Sequence, residues 1–192
     1  NLHDAGAGTF RFSTGGAVSG GITATDGTLD YSGAAGPVAL NLSSKTGSGI
    51  GTTWSGITTV TGSGGLLDAI GGTNATYNLT AANAGNSGGV FWTSFEKIAD
   101  TGTGSITTSG GRTFNLTGAN SGNVTTLLPG GYTNIGNLSD SAAGNFLFGP
   151  GGAVSGNINA DNGTLDYAGY NADVHVNLGG TVGATTGIGG SW

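Results

Sequence analysis

Short apolar segments recur along the whole chain, and each is bounded by Gly, Asn, Asp or Ser. Several alternate apolar and polar positions, as in Phe10-x-Phe12 and Leu40-x-Leu42, which predicts strands with one buried face. No segment places apolar residues at i, i+3, i+4 and i+7 over three turns, so no significant α-helix is expected. Strands are predicted at 9–12, 17–22, 28–31, 38–42, 57–61, 76–80, 90–95, 105–108, 113–117, 124–127, 132–135, 146–148 and 174–178.

The chain restarts part-way along its own length. Residues 1–12, NLHDAGAGTFRF, align with residues 137–148, NLSDSAAGNFLF, at an offset of 136. GGAVSG and GTLDY recur at the same offset, and Trp54 aligns with Trp192 after a two-residue insertion. The sequence therefore predicts a complete repeat unit at 1–136 and the start of the next copy at 137–192. We interpret the chain as a fragment of a longer tandem array that folds as one continuous elongated domain.

A shorter repeat of about 37 residues lies inside this unit. The motif Asn-Leu-Ser/Thr recurs at Asn41, Asn78 and Asn115, and the sequence TYNLTAANAGN at 76–86 aligns with TFNLTGANSGN at 113–123. The subrepeats are predicted around 41–77, 78–114 and 115–136.

Short strands at this spacing suit a β-sandwich or a solenoid, and the repeat favours the solenoid. A 37-residue subrepeat is too small to bury an apolar face alone, whereas stacked coils bury it between neighbours. Two coils of about 18 to 19 residues fit one subrepeat. We therefore predict an all-β fold, a parallel β-solenoid (β-helix) with roughly 18–20 residues per coil and small inward residues.

Composition argues against several function classes. Of the 192 residues 43 are glycine and only 7% are charged, against an average of roughly 7% glycine and 25% charged residues. Low charge with regular apolar segments indicates a folded chain. The net charge is −6 and the four basic residues are scattered, so we expect no nucleic-acid partner. There is no cysteine, and no apolar run approaches the roughly 20 residues of a membrane helix, so we expect no disulfide and no membrane insertion.

Segments such as GNFLFGPGGAVSGNINADNGTLDYAGYNADVHVNL, residues 144–178, resemble the repeats of very large bacterial surface proteins. These are haemagglutinin-like, β-strand-repeat adhesins related to the RTX calcium-binding repeats, and the resemblance covers essentially the whole chain. It implies a secreted, elongated protein of the bacterial cell surface or extracellular matrix.

The same resemblance implies calcium as a candidate cofactor, because RTX coils bind calcium through glycine-rich turns and an aspartate. Asp26 with Asp30, and Asp161 with Asp166, are the candidate calcium ligands. Segment 71–79, GGTNATYNL, departs from the RTX pattern, with Asn and Thr where Gly and Asp belong. The alternative, which we prefer, is that the aspartates cap turns through their own backbone, with no cofactor required.

Recurrent asparagines are candidates for a structural ladder. Identical polar side chains in stacked coils can hydrogen-bond to one another along the axis. The ladder candidates are Asn41, Asn78, Asn115 and Asn177.

The tryptophans Trp54, Trp92 and Trp192 occupy positions that the repeats align. A tryptophan on the outer face of a solenoid could stack on host or matrix glycans. We favour the alternative that each one anchors a loop or closes a seam between coils.

Glycines, turn residues and apolar anchors recur between the two copies, whereas His3 and His175 do not recur. Repeated acids without a basic cluster do not resemble a catalytic groove, so we expect no enzyme. The expected function is a structural extracellular fibre or stalk, the tandem-repeat segment of a large cell-surface adhesin or a self-assembling filament. Its expected partners are copies of itself, end to end or side by side. The alternatives are a module that binds glycans, ice or surfaces on a flat threonine-rich face, and a calcium-stabilised RTX-like domain.

Overall fold

The computed structural model describes residues 1–192 and contains strands, turns and bends but no helix. Neighbouring coils pair through parallel strands that belong to one continuous sheet of 17 strands. The fold is therefore an all-β, parallel β-solenoid, as predicted. The strands are β1 Leu2–His3, β2 Thr9–Ser13, β3 Ile22–Gly33, β4 Ala39–Asn41, β5 Thr46–Gly47, β6 Trp54–Thr61, β7 Ala69–Gly71, β8 Thr76–Ala81, β9 Ala84–Ser87, β10 Val90–Thr93, β11 Lys97–Thr108, β12 Thr113–Gly118, β13 Ser121–Val124, β14 Leu128–Asp140, β15 Asn145–Phe148, β16 Ile158–Ala160 and β17 Thr164–Asp166.

The parallel ladder advances by two different step lengths. The short step is seen where Leu2 pairs with Ile22 and where Leu138 pairs with Ile158, at the start of each copy. The long step is seen elsewhere in the ladder, and it takes Ile22, for example, to its partner Trp54. The predicted coil length is therefore correct for the short steps and wrong for the long ones, which are about half as long again.

Antiparallel hairpins explain the difference. β4 pairs antiparallel with β5, β8 with β9 and β12 with β13, and every long step between named strands contains residues of one of these hairpins. The short steps, which join β1 and β2 to β3 and join β14 and β15 to β16 and β17, contain none. The first strand of each hairpin belongs to the parallel ladder, but the returning strand pairs only antiparallel and so adds residues without adding a rung. The 37-residue spacing of Asn41, Asn78 and Asn115 marks these hairpins and not pairs of coils.

The core is a set of columns of large apolar side chains, in contrast to the small inward residues expected. One column runs through Leu40, Ile70, Ile98 and Tyr132, which the parallel register places above one another. A second runs through Tyr77, Ile106, Leu138 and Ile158. In all, 33 buried residues form one continuous cluster. Each coil thus presents its apolar face to the next, as solenoid stability requires.

Three predicted strands do not form, and one of them, at 124–127, keeps only Val124 as the end of β13 before a turn. Residues 17–22 contain only an isolated bridge from Val18 to Ile50, apart from Ile22, which begins β3. Residues 174–178 have no strand, although the aligned segment of the first copy contains β4. In the first copy Leu40 pairs with Ile70 of the following coil. Val176, which aligns with Leu40, has no such partner strand, so alternation of apolar residues alone does not produce a strand there.

Candidate functional site

Asp140 joins its own coil to the preceding one. Its carboxylate accepts hydrogen bonds from the backbone amides of Gly111 and Arg112, at 3.1 and 2.8 Å, and from the Thr108 hydroxyl at 2.7 Å. It also accepts one from the amide of Ala142, at 2.8 Å, within its own turn. Burial favours the neutral acid, but these donors outweigh it and lower the pKa of Asp140 below its ordinary value.

Asp68 and Asp100 are also buried, and each joins its own coil to the preceding one through hydrogen bonds to its carboxylate. Asp68 accepts hydrogen bonds from the Val38 amide of the preceding coil, at 2.8 Å, and from the Ser63 amide, at 2.6 Å. Asp100 accepts the amides of residues 74–75 at 2.9 and 3.1 Å. We call Asp68, Asp100 and Asp140 the carboxylate clasps. Their backbone-amide donors on the preceding coil lie 25 to 30 positions earlier in the chain, and no local sequence pattern indicates the pairing.

None of the four predicted calcium ligands, Asp26, Asp30, Asp161 and Asp166, belongs to a cluster of three or more metal-binding side chains. No group of three or more acidic, histidine or cysteine side chains converges in residues 1–192. Asp30 accepts a hydrogen bond from the Arg11 guanidinium, at 2.8 Å, and another from the Ser32 amide, at 2.9 Å. Hydrogen bonds from Ser32, with a smaller contribution from Arg11, lower the pKa of Asp30. Asp166 caps a turn through the Ala168 amide, at 2.8 Å.

Asp26 occupies a turn that needs an unusual backbone conformation. Its φ is 56°, and Asn162, the aligned residue of the second copy, has φ 55°. Asp and Asn both tolerate this left-handed region, and only one of them carries charge. Asp161 is exposed, and the first copy has Thr25 at its position. The repeated requirement at this turn is therefore conformational and does not involve a pair of carboxylates.

The predicted asparagine ladder does not form. Asn78 hydrogen-bonds to Asn86 across hairpin β8–β9, at 3.0 Å, and Asn115 to Asn123 across β12–β13, at 2.7 Å. Asn41 instead accepts the amides of residues 43–44 in its own turn, at 3.0 and 2.9 Å. The fourth candidate, Asn177, accepts the Gly179 amide at 2.7 Å. These asparagines stabilise hairpins and turns, since the hairpin spacing differs from the coil spacing.

The three tryptophans have different environments. Trp54 and Trp92 are 2% and 1% exposed, so neither is open to stack on a glycan. Trp54 lies over Ile22 with the Lys45 ammonium 4.5 Å from its ring centre, whereas Trp92 lies over Val60. Both close the seam between coils. Trp192 is 50% exposed, and its indole N–H donates to the Thr185 hydroxyl at 2.9 Å.

Glu96 is a buried acid that the sequence does not single out. It is 3% exposed, and its Oε1 accepts a hydrogen bond from the side-chain Nδ2 of Asn83 at 3.3 Å. Its Oε2 and the Asn83 Oδ1 are both buried without a partner. Burial, reinforced by the nearby Asp68 carboxylate, raises the pKa of Glu96.

A cleft of about 610 Å³ opens at the C-terminal coil. Phe146, Ile158, Leu165, Val176 and Trp192 supply most of its apolar lining. It lies over strands β16 and β17, which pair with the preceding coil and have no strand on their other side. Seven of its ten lining residues are hydrophobic, so the cleft is suited to apolar packing and backbone pairing.

No family model, no curated protein and no solved structure matches this chain. No helix in the structure is long and apolar enough to cross a membrane.

Proposed function

We propose that this chain is a structural segment of an extracellular fibre or stalk, in which 136-residue units stack coil on coil. The observation that carries the proposal is the junction between the two copies. Residues 105–108 pair in parallel with residues 137–140, and residues 113–116 pair with residues 145–148. Within the first copy β3 and β6 pair in the same parallel way. One unit therefore joins the next through an interface of the kind that joins coils within a unit.

The geometry supports a mechanical function. Each coil satisfies the backbone groups of its neighbours, so unpaired strand edges are confined to the ends of the stack. The carboxylate clasps add charge-assisted hydrogen bonds between coils, and these are among the stronger hydrogen bonds in proteins. The net charge of −6 favours solubility of an extended surface. Together these features favour a stable, self-continuing scaffold whose partners are further copies of the same unit.

The resemblance to β-strand-repeat adhesins supports a place outside the cell, on a bacterial surface or in its matrix. In that setting the segment serves as the tandem-repeat stalk of an adhesin or as a filament subunit. Coils that repeat without a convergent catalytic group fit a scaffold better than an enzyme.

The test is to vary the number of units. Residues 1–136 are produced in one, two and three copies, each followed by residues 137–192, and the particles are measured by electron microscopy and small-angle X-ray scattering. Particle length is expected to rise linearly at constant diameter, since each stacked coil adds about 4.8 Å. Growth in all three dimensions, as in a globular protein, would overturn the proposal.

A second candidate function, binding to a glycan or another surface, is favoured by one observation. Threonines lie side by side on neighbouring strands, with Thr28 next to Thr59 and Thr61 next to Thr93. Phe91, which the parallel register pairs with Thr59, is 61% exposed. Exposed aromatic and hydroxyl groups on a flat sheet can contact a sugar surface. Retention on a glycan array that is lost in Phe91→Ser would support this function, and no retention on any glycan would remove it.

A further inference from the structure

The cleft over β16 and β17 has an occupied counterpart in the same molecule. Ile158 and Leu165 align with Ile22 and Leu29 of the first copy, at the offset of 136. There β3 is covered by β6, with Ile22 paired to Trp54. Leu29 is fully buried beneath Val60, its partner in the register, whereas Leu165 remains partly exposed. The first copy therefore displays what covers this surface.

Two aligned glycines, Gly27 and Gly163, show where a side chain of the following coil packs in the first copy. Gly27 has no Cβ, and the Cδ1 of Ile57 lies 2.9 Å from where a Cβ would stand, so Ile57 packs onto the bare backbone. Gly163 aligns with Gly27, and the atoms nearest to where its Cβ would stand belong to Ala160, Gly144 and Phe146, which all precede it in the chain. The space that Ile57 fills in the first copy is therefore part of the cleft in the second.

The backbone at the cleft is already aligned for a further strand. Ile158 donates its amide to the Ser191 carbonyl at 2.9 Å, as Ile22 donates to the Thr53 carbonyl at 3.1 Å. The segment before Trp192 thus approaches the preceding coil as the segment before Trp54 does. In the first copy, the next residues form β6.

We propose that the cleft is the docking site for a coil with the sequence that follows Trp54, when that sequence is joined directly after Trp192. Its copy of Ile57 packs over Gly163 and its copy of Val60 over Leu165. Trp192 then becomes buried as Trp54 is. This inference rests on the proposed function, because a site for the next coil matters only in a stack that is extended coil by coil.

The experiment joins a copy of residues 55–136 directly after Trp192 in the full chain. Hydrogen exchange of residues 158–166 is compared with that of residues 22–30 in the same molecule, which serve as the internal standard. In the unextended chain residues 158–166 are expected to exchange faster. In the extended chain they are expected to slow about tenfold or more and to approach residues 22–30. Acrylamide is expected to quench the fluorescence of Trp192 in the unextended chain. In the extended chain this quenching is expected to disappear, because Trp192 is then buried.

A matched control carries the same extension with Ile57→Asn and Val60→Asn in the appended copy only. Fast exchange of residues 158–166 and an accessible Trp192 are expected to return, while residues 22–30 stay protected. Protection that persists in this control would show that any appended chain covers the cleft, and would overturn the specific docking. Concentration-dependent protection of Trp192 in the unextended chain would assign the cleft to a second molecule and would also overturn it.

The same samples separate this inference from the proposed function. If residues 158–166 are protected but the particles do not lengthen, the result would support the docking site and contradict the fibre function. If the particles lengthen but residues 158–166 still exchange fast, the result would support the fibre function and contradict the docking site.

Discussion

The two copies of the repeat fold alike in one part and differently in another. Phe12 stacks on Tyr31 and Phe148 on Tyr167, with ring centres 4.4 Å apart in both copies. The two tyrosine hydroxyls also donate to corresponding carbonyls, those of Ser48 and Thr186, at 2.7 Å in each case. These contacts form within one copy and do not require the coil that follows.

The segments that lie further along each copy differ. Val38, Leu40 and Leu42 are buried, whereas the aligned Val174, Val176 and Leu178 are exposed. In the first copy Leu40 pairs with Ile70. Nothing pairs with Val176 in this way. Closely similar apolar patterns therefore give a buried strand or an exposed segment, and the neighbouring coil decides which one forms.

The largest expected effect comes from the aligned tryptophans. Trp54→Ala is expected to lower the free energy of unfolding by about 3–5 kcal/mol, because it empties a buried site between coils. Trp192→Ala is expected to cost less than about 1 kcal/mol, since that ring is half exposed. Urea unfolding followed by circular dichroism measures both. Equal losses at the two positions would contradict the view that the following coil confers the burial.

Loss of one carboxylate clasp is expected to make the first copy resemble the second. Asp68→Ala leaves the buried amide of Val38 without an acceptor and is expected to cost about 3 kcal/mol. Hydrogen exchange of residues 38–42 is expected to rise towards that of residues 174–178. Asp173→Ala, at an exposed acid, is the matched control and is expected to stay within about 0.5 kcal/mol of the parent. Unchanged exchange at residues 38–42 would show that packing alone orders the strand.

Asp4 and Asp140 occupy the same repeat position with different neighbours. Asp140 has donors from the preceding coil, whereas Asp4 accepts only the Gly6 amide. Asp140→Asn is therefore expected to cost about 2 kcal/mol at pH 7, and Asp4→Asn less than about 1 kcal/mol. Urea midpoints at pH 7 measure the difference. A larger loss for Asp4→Asn would reverse the comparison.

The lowered pKa of Asp140 also predicts a pH dependence. The folded state favours its ionised form, so its stabilisation is complete above the unfolded pKa of about 3.9 and is lost as the pH falls through the folded pKa. Asp140→Asn is expected to lose less stability than the parent between about pH 4 and pH 2. The free energy of unfolding is measured by urea unfolding across this pH range. If it falls with pH equally steeply in the parent and in the variant, Asp140 is excluded as a source of acid sensitivity.

The smallest expected effect concerns a contact found in one copy only. Arg11 pairs with Asp30, while the second copy has Leu147 at the position of Arg11. Because the Arg11 side chain is 72% exposed, Arg11→Leu is expected to change the free energy of unfolding by no more than about 1 kcal/mol. The difference is expected to shrink further at high salt concentration. A loss that is large and insensitive to salt would contradict a screened surface pair.

The repeat and the apolar alternation predict the fold class, because both report which residues face a shared core. They do not predict coil length. The 37-residue spacing is real, but it follows the hairpins that begin near Asn41, Asn78 and Asn115, and the returning strand of each hairpin does not add a rung to the parallel ladder. Dividing that spacing into two coils therefore gives the wrong step wherever a hairpin occurs.

The carboxylate clasps are harder to predict. Asp100 binds the amides of residues 74–75, and those donors are ordinary turn residues far away in sequence. Their meeting depends on the coil step, which the sequence leaves undetermined. Trp54 and Trp92, which the subrepeats align, lie over Ile22 of β3 and Val60 of β6, so they cover different strands of their preceding coils. The cleft follows directly from the restart of the repeat once the register is known.

The hairpins also bear on how such a chain can change. At Ile22 the short step from Leu2 and the long step to Trp54 bring successive strands into the same parallel ladder. Insertions at a hairpin tip therefore leave the columns of the core in place, whereas a single-residue insertion inside β3 or β6 would turn inward side chains outward. Variation in length and chemistry is thus tolerated on the outside of the stack, which makes the hairpin tips natural sites for grafting a new epitope or recognition loop.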